Sequence, residues 1–128
     1  MNYNFEGKIG VIAEDTEDNY LVLKYLLQKS KIKLLRAKNG KEAVEICENH
    51  NIDLVLMDLE MPVMNGYEAT EKIKELNKNV SVIAQTALLL SEEASRLKAG
   101  GFDDCLQKPI STDLLYSAIE KCLYRNSA

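Results

Sequence analysis

Short apolar runs alternate with helix-period segments five times along this chain, and that alternation constrains the fold more than any other feature. The runs are Lys8 to Ala13, about Lys33 to Ala37, Ile52 to Met57, Val80 to Gln85, and Phe102 to Gln107. Runs this short, bounded by turn residues, read as fully buried parallel strands. Between them apolar residues recur at helical spacing, as in Leu23, Leu26 and Leu27, then Ala43, Ile46 and Cys47, and finally Leu115, Ala118, Ile119 and Cys122. Thr16 is placed to cap the first helix, with Glu17 and Asp18 suiting its positive end. Asn39-Gly40 opens the second helix. The third covers about Tyr67 to Leu76, and the fourth, about Ser91 to Ala99, ends at Gly100-Gly101 in a left-handed cap. The last runs from near Ser111 to about Tyr124. Strand alternating with helix implies parallel strands, right-handed crossovers and helices on both faces. The expectation is an α/β fold: one doubly wound (βα)5 domain spanning residues 1–128, with its core at about 7–124.

Bulk properties narrow the function. The 128 residues suit one domain. Hydrophobic residues at 46% and charged residues at 28% exclude a disordered chain. The net charge of −4, with scattered Lys and Arg, offers no basic face for nucleic acid. No apolar stretch approaches a membrane span, and the first residues lack the pattern of a signal peptide. Cys47, Cys105 and Cys122 have neither metal-type nor CxxC spacing, and an odd number fits poorly with a disulfide framework. That points to a reducing, cytoplasmic setting. His50, the only histidine, reads as a solvated residue near a helix end.

Chemistry gathers at one end of the strands. Asp58 closes the third run, the first ends in Glu14-Asp15, the fourth in Thr86, and the fifth in Lys108-Pro109. Open α/β sheets place ligands at the carboxyl ends of their strands. Glu14, Asp15 and Asp58 there would repel one another unless a cation joins them. All-oxygen donors favour a hard divalent ion, Mg²⁺ or Mn²⁺. With a lysine for a phosphoryl oxygen and the Thr86 hydroxyl, the set suits phosphoryl transfer, with Asp58 as the nucleophile.

Glu14-Asp15, Met57-Asp58 with Met61-Pro62 and Asn65-Gly66, Thr86-Ala87 and Lys108-Pro109 together resemble the receiver domain of two-component response regulators. The resemblance covers nearly the whole chain and implies the strand order 2-1-3-4-5. It also implies that Asp58 takes phosphate from phosphohistidine on a histidine kinase or histidine phosphotransfer protein and loses it by slow self-catalysed hydrolysis. Glu14, Asp15, Asp58 and the backbone carbonyl of Glu60 would hold the ion. Lys108 would pair with the phosphoryl group, Thr86 would turn toward it, Ala87 would lie in the responding loop, and the Lys108-Pro109 bond would be cis. The phrases around Asp15 and Asp58 look most like receivers of hybrid sensor kinases. No nucleic-acid or membrane contact is expected of this domain, which would be a monomer or weak dimer. With no effector domain expected after Asn126, the chain is expected to be either a stand-alone receiver or a piece of a longer protein.

The chain departs from the receiver pattern at Cys105, where receivers usually carry Tyr or Phe as a switching ring. Phe102, three positions earlier, is expected on the opposite face of the same strand, in the core. The Glu60 side chain is expected either at the mouth of the site or as a solvated loop glutamate. A flavin mononucleotide domain would need a Ser/Thr/Gly-rich loop where this chain has Glu14 to Asp18. An aspartate-nucleophile phosphatase would carry its nucleophile on the first strand. A degenerate receiver acting as a scaffold is the remaining alternative, and the intact five-residue set counts against it.

Overall fold

The computed structural model describes residues 3–87 and 89–124. Five strands, β1 (Ile9–Ala13), β2 (Lys33–Ala37), β3 (Leu54–Asp58), β4 (Ser81–Thr86) and β5 (Asp104–Gln107), form one sheet in the order β2-β1-β3-β4-β5. Every neighbouring pair is parallel. The intervening helices are α1 (Glu17–Leu27, extended by a 3₁₀ turn at Gln28–Ser30), α2 (Gly40–Asn49), α3 (Gly66–Leu76), α4 (Ser91–Ala99) and α5 (Thr112–Tyr124).

Strand alternation sorts the core into two layers. Val11, Ala13, Val55, Met57, Val82 and Ala84 face one side, where Ala43 of α2, Ala69 and Ile73 of α3, and Leu97 of α4 cover them. Ile12, Leu54, Leu56, Ile83 and Leu106 face the other, under Leu23 and Leu27 of α1 and Leu115 and Ile119 of α5. Both β3 and β4 are buried along their whole length, as expected for central strands covered on both faces.

Local chemistry sets the helix ends. Asn39 and Asn65 cap α2 and α3, their side chains accepting from the backbone N–H of Glu42 and Glu68 at 2.9 and 3.0 Å. Thr16 occupies the corresponding position of α1, but its side chain makes no cap bond. Its hydroxyl donates to Glu14 Oε2 at 3.1 Å, a charge-assisted bond to a buried carboxylate. Beyond α4, Gly101 adopts φ +95° and donates to the Lys98 carbonyl, while Phe102 N–H reaches back to the Leu97 carbonyl at 3.1 Å. This is a Schellman closure with the left-handed residue at Gly101.

That closure corrects one expectation. Phe102 precedes β5 rather than belonging to it, so strand alternation does not apply to it. Its ring packs edge-on against Tyr67, with centroids 5.7 Å apart. It belongs to the same core layer as Cys105, not the opposite one.

Candidate functional site

Four strands end in polar groups on the α1/α5 side of the sheet, and period-two alternation explains it. Glu14 lies two residues after Ile12, Asp58 after Leu56, Gln85 after Ile83 and Lys108 after Leu106, and all four preceding residues belong to that core layer. Asp58 is 4% exposed and Glu14 1%, whereas Asp15 is exposed. One carboxylate oxygen from each of these three acids lies within 4.8 Å of the others. Lys108 Nζ stands 3.4 Å from Asp58 Oδ2 and 3.6 Å from Glu14 Oε1.

Each group is held from behind. Asp58 Oδ1 accepts from the Glu60 N–H at 3.1 Å, and Glu14 Oε2 accepts from the backbone N–H and hydroxyl of Thr16. Lys108 is fixed along the backbone, its N–H donating to the Thr86 carbonyl at 2.8 Å. Arg36, at the end of β2, lies over the Tyr20 ring and points Nη2 at the carbonyls of Glu14 and Asp15, 3.4 Å from each.

Electrostatics favour a cation. Burial pushes the Glu14 carboxyl above its usual range, the nearby Asp58 charge adds to the shift, and the Thr16 bonds and Lys108 oppose it. Glu14 Oε1 is buried without a hydrogen-bond partner among the described residues. An orphaned carboxylate oxygen among three clustered acids and one lysine fits a hard divalent ion.

The sign of the Glu14 shift is testable. A raised folded-state pKa means that its contribution to stability is full below about pH 4.5 and is lost as pH rises through the folded value. At neutral pH the ionised, buried carboxylate is therefore a cost in metal-free buffer. Glu14→Gln should melt a few degrees higher than wild type there, with the difference closing in acid, as followed by circular dichroism. Equal melting temperatures at neutral pH would remove Glu14 as a source of strain.

The other expected residues are also placed. Thr86 is buried, but by alternation it follows Ala84 on the opposite layer from Asp58. Ala87 and Glu60 are exposed in loops. Pro109 is exposed and its bond to Lys108 is cis. Cys105 is half-buried beside an open cleft of about 420 Å³ between α4 and β5, lined by Ala94, Leu97 and Phe102 among others. Burial and the charges of Asp104 and Glu93 raise its thiol pKa, which disfavours a reactive thiolate. Burial likewise pushes Cys47 up to about 11.

Two participants escaped the sequence reading. Arg36 lies in an unremarkable strand, and only the pairing of β1 with β2 brings it to the acidic loop. Gln85 had a visible signal: a carboxamide two residues after Ile83 in an otherwise apolar run.

An open, doubly wound parallel sheet with acids and a lysine at its carboxyl edge defines a phosphoryl-transfer class of site. Residues 11–120 match the family model of the response regulator receiver domain. The polar-differentiation response regulator DivK of Brucella anthropi is 32% identical over 115 residues, covering 88% of this chain and 94% of that protein. Among solved structures, a chain from the co-crystal of the Saccharomyces cerevisiae histidine phosphotransfer protein Ypd1 with the receiver domain of its response regulator Ssk1 superposes with a TM-score of 0.88. It shares 29% identity, over 97% of this chain and 94% of that one. The receiver domain of the Francisella response regulator 1452 gives a TM-score of 0.87 at 27% identity, over 94% and 99%. The chain belongs to the response regulator receiver family and is a receiver domain of two-component signalling. No helix among the described residues is long and apolar enough to cross a membrane.

Proposed function

We propose that Asp58 accepts a phosphoryl group from phosphohistidine on a histidine kinase or histidine phosphotransfer protein, as one step of a phosphorelay of the hybrid-kinase kind. The observation that carries this reading is a buried Asp58 flanked by two carboxylates and a lysine at one sheet edge. Glu14, Asp15, Asp58 and the backbone carbonyl of Glu60 would hold Mg²⁺ or Mn²⁺, which supplies charge neutralisation at the phosphoryl oxygens. An Asp58 carboxylate oxygen attacks phosphorus, the P–N bond breaks with its electrons passing to the imidazole nitrogen, and that nitrogen takes a proton from solvent. Lys108 touches its two carboxylates at 3.4 and 3.6 Å, so its ammonium is loosely held and free to follow a phosphoryl oxygen. Thr86, buried at the end of β4 on the other layer, would have to turn its hydroxyl toward the same group after transfer. Slow attack of water on phosphorus releases phosphate and restores Asp58.

The crystallised pairing of Ypd1 with the Ssk1 receiver supports a phosphotransfer partner. We assign residues 1–128 to one cytoplasmic receiver unit, a monomer or weak dimer that touches neither nucleic acid nor membrane. Acetyl phosphate should add one phosphoryl group only when Mg²⁺ is present, as read by intact-mass spectrometry. Asp15→Asn should lose Mg²⁺ binding by calorimetry and most of that uptake, while melting within a few degrees of wild type. Metal-independent uptake, or undiminished Mg²⁺ binding in the variant, would overturn the assignment.

Cys105 bears on the output. A thiol beside the α4–β5 cleft offers far less differential burial than a ring, so phosphate is weakly coupled to the face formed by α4, β5 and α5. Phosphorylation should change self-association through this face by less than about tenfold. Cys105→Tyr should enlarge the response, as measured by analytical ultracentrifugation. Strong phosphorylation-dependent dimerisation of the unmodified protein would defeat this reading and the relay role it favours.

A further inference from the structure

Gln85 takes no part in the chemistry above, yet it is built into the same layer. It stands beside Asp58 in the β3–β4 register and is 2% exposed. A buried carboxamide is costly unless it is hydrogen-bonded, and Gln85 Nε2 finds no partner among the described residues. Glu14 Oε1 is in the same position, with the Lys108 ammonium no closer than 3.6 Å. One orphan is a donor and the other an acceptor. Gln85 and Glu14 both line a single cavity of about 190 Å³, bounded further by Leu23, Lys108, Pro109 and Ile110. A water claims only about 30 Å³ of liquid volume and needs two or more polar partners, so this cavity has both the room and the groups. Packing alone does not call for a carboxamide here, since Ile83, Leu56 and Leu106 fill the layer below.

The geometry points to Gln85 as a positioning residue for Glu14: through a water in this cavity its amide is relayed onto Glu14 Oε1, fixing that carboxylate toward the cation site. This rests on the cation site proposed above. Groups that orient metal ligands from behind act on affinity without touching the metal.

The test compares wild type with Gln85→Leu and Gln85→Met, two apolar side chains of similar size. A high-resolution crystal structure of metal-free wild type should contain an ordered water within hydrogen-bond distance of both Gln85 Nε2 and Glu14 Oε1. A dry cavity, or an amide bonded elsewhere, overturns the proposal. In calorimetric titrations with Mg²⁺, both variants should bind about tenfold more weakly or worse. Without metal they should melt within a few degrees of wild type, because the gain from replacing a buried amide by an apolar group is offset by the loss of the water bridge to Glu14 Oε1. In a Glu14→Gln background, Gln85→Leu should leave Mg²⁺ affinity unchanged, since the relay then has no carboxylate to act on. If the variants bind Mg²⁺ as wild type does, whatever their melting temperatures, Gln85 has no positioning role and the cation site still stands. If wild type itself binds no Mg²⁺, the proposed function falls, and this inference with it.

Discussion

Asp58→Asn is expected to reduce phosphoryl uptake from acetyl phosphate to background, the largest functional effect predicted for any single substitution in this chain. A carboxamide nitrogen or oxygen does not form a stable acyl phosphate under these conditions, so the loss should be close to complete. The fold should survive. The asparagine oxygen can still accept from the Glu60 N–H, which now donates to Asp58 Oδ1 at 3.1 Å. Lys108 keeps Glu14 as a partner, and one of three mutually repelling carboxylates is removed. Intact-mass spectrometry and a thermal melt on the same sample separate the two outcomes. Uptake that persists in a folded variant would move the acceptor to another side chain, with Asp15 the next candidate.

The largest expected loss of stability comes from Gly40→Ala. Gly40 is buried at the first turn of α2, and an added Cβ there would stand 2.3 Å from the Met64 carbonyl oxygen. It would also meet Met64 C and Ala69 Cβ, each at 3.1 Å. The closest obstacle is backbone, so no flexible side chain can swing aside. Overpacking of this kind costs about 2–3 kcal/mol. For a chain of this length that lowers the melting temperature on the order of 10 °C. Gly7→Ala provides the contrast: among the described residues nothing lies within 4 Å of an added Cβ, and the penalty there is a positive φ of 88°. That left-handed penalty is about 1–2 kcal/mol, so Gly7→Ala should fall short of Gly40→Ala. A Gly40 variant that melts with wild type would show that the contact between α2 and the β3–α3 loop is loose.

Elements were legible because their causes are local. The apolar runs ending at Ala13, Asp58 and Thr86 contain their own period and their own punctuation, and each strand end falls within a residue or two of expectation. Asn39 and Gly101 announce helix ends by chemistry that acts over three or four residues. The strand-end acids and the lysine were legible for the same reason, since a charged group closing a buried run has few places to go.

Which strands become neighbours, and which side each terminal residue faces, depends on contacts made across the whole chain. The order β2-β1-β3-β4-β5 followed from a family resemblance, and the pairings then bring Arg36 to the acidic loop and Gln85 beside Asp58. Sequence spacing put Phe102 in a strand, while the closure of α4 places it ahead of β5 in the Cys105 layer. It offered Thr16 as a helix cap, while the burial of Glu14 turned that hydroxyl inward. Adjacent in sequence, Glu14 is 1% exposed and Asp15 lies open to solvent. The sequence alone determined where the strands, helices and charged strand ends lie, because periodicity and capping act between near neighbours. Burial, partner choice and the facing of Gln85 were decided only by the tertiary structure, because they depend on which distant segments exclude water from the same place.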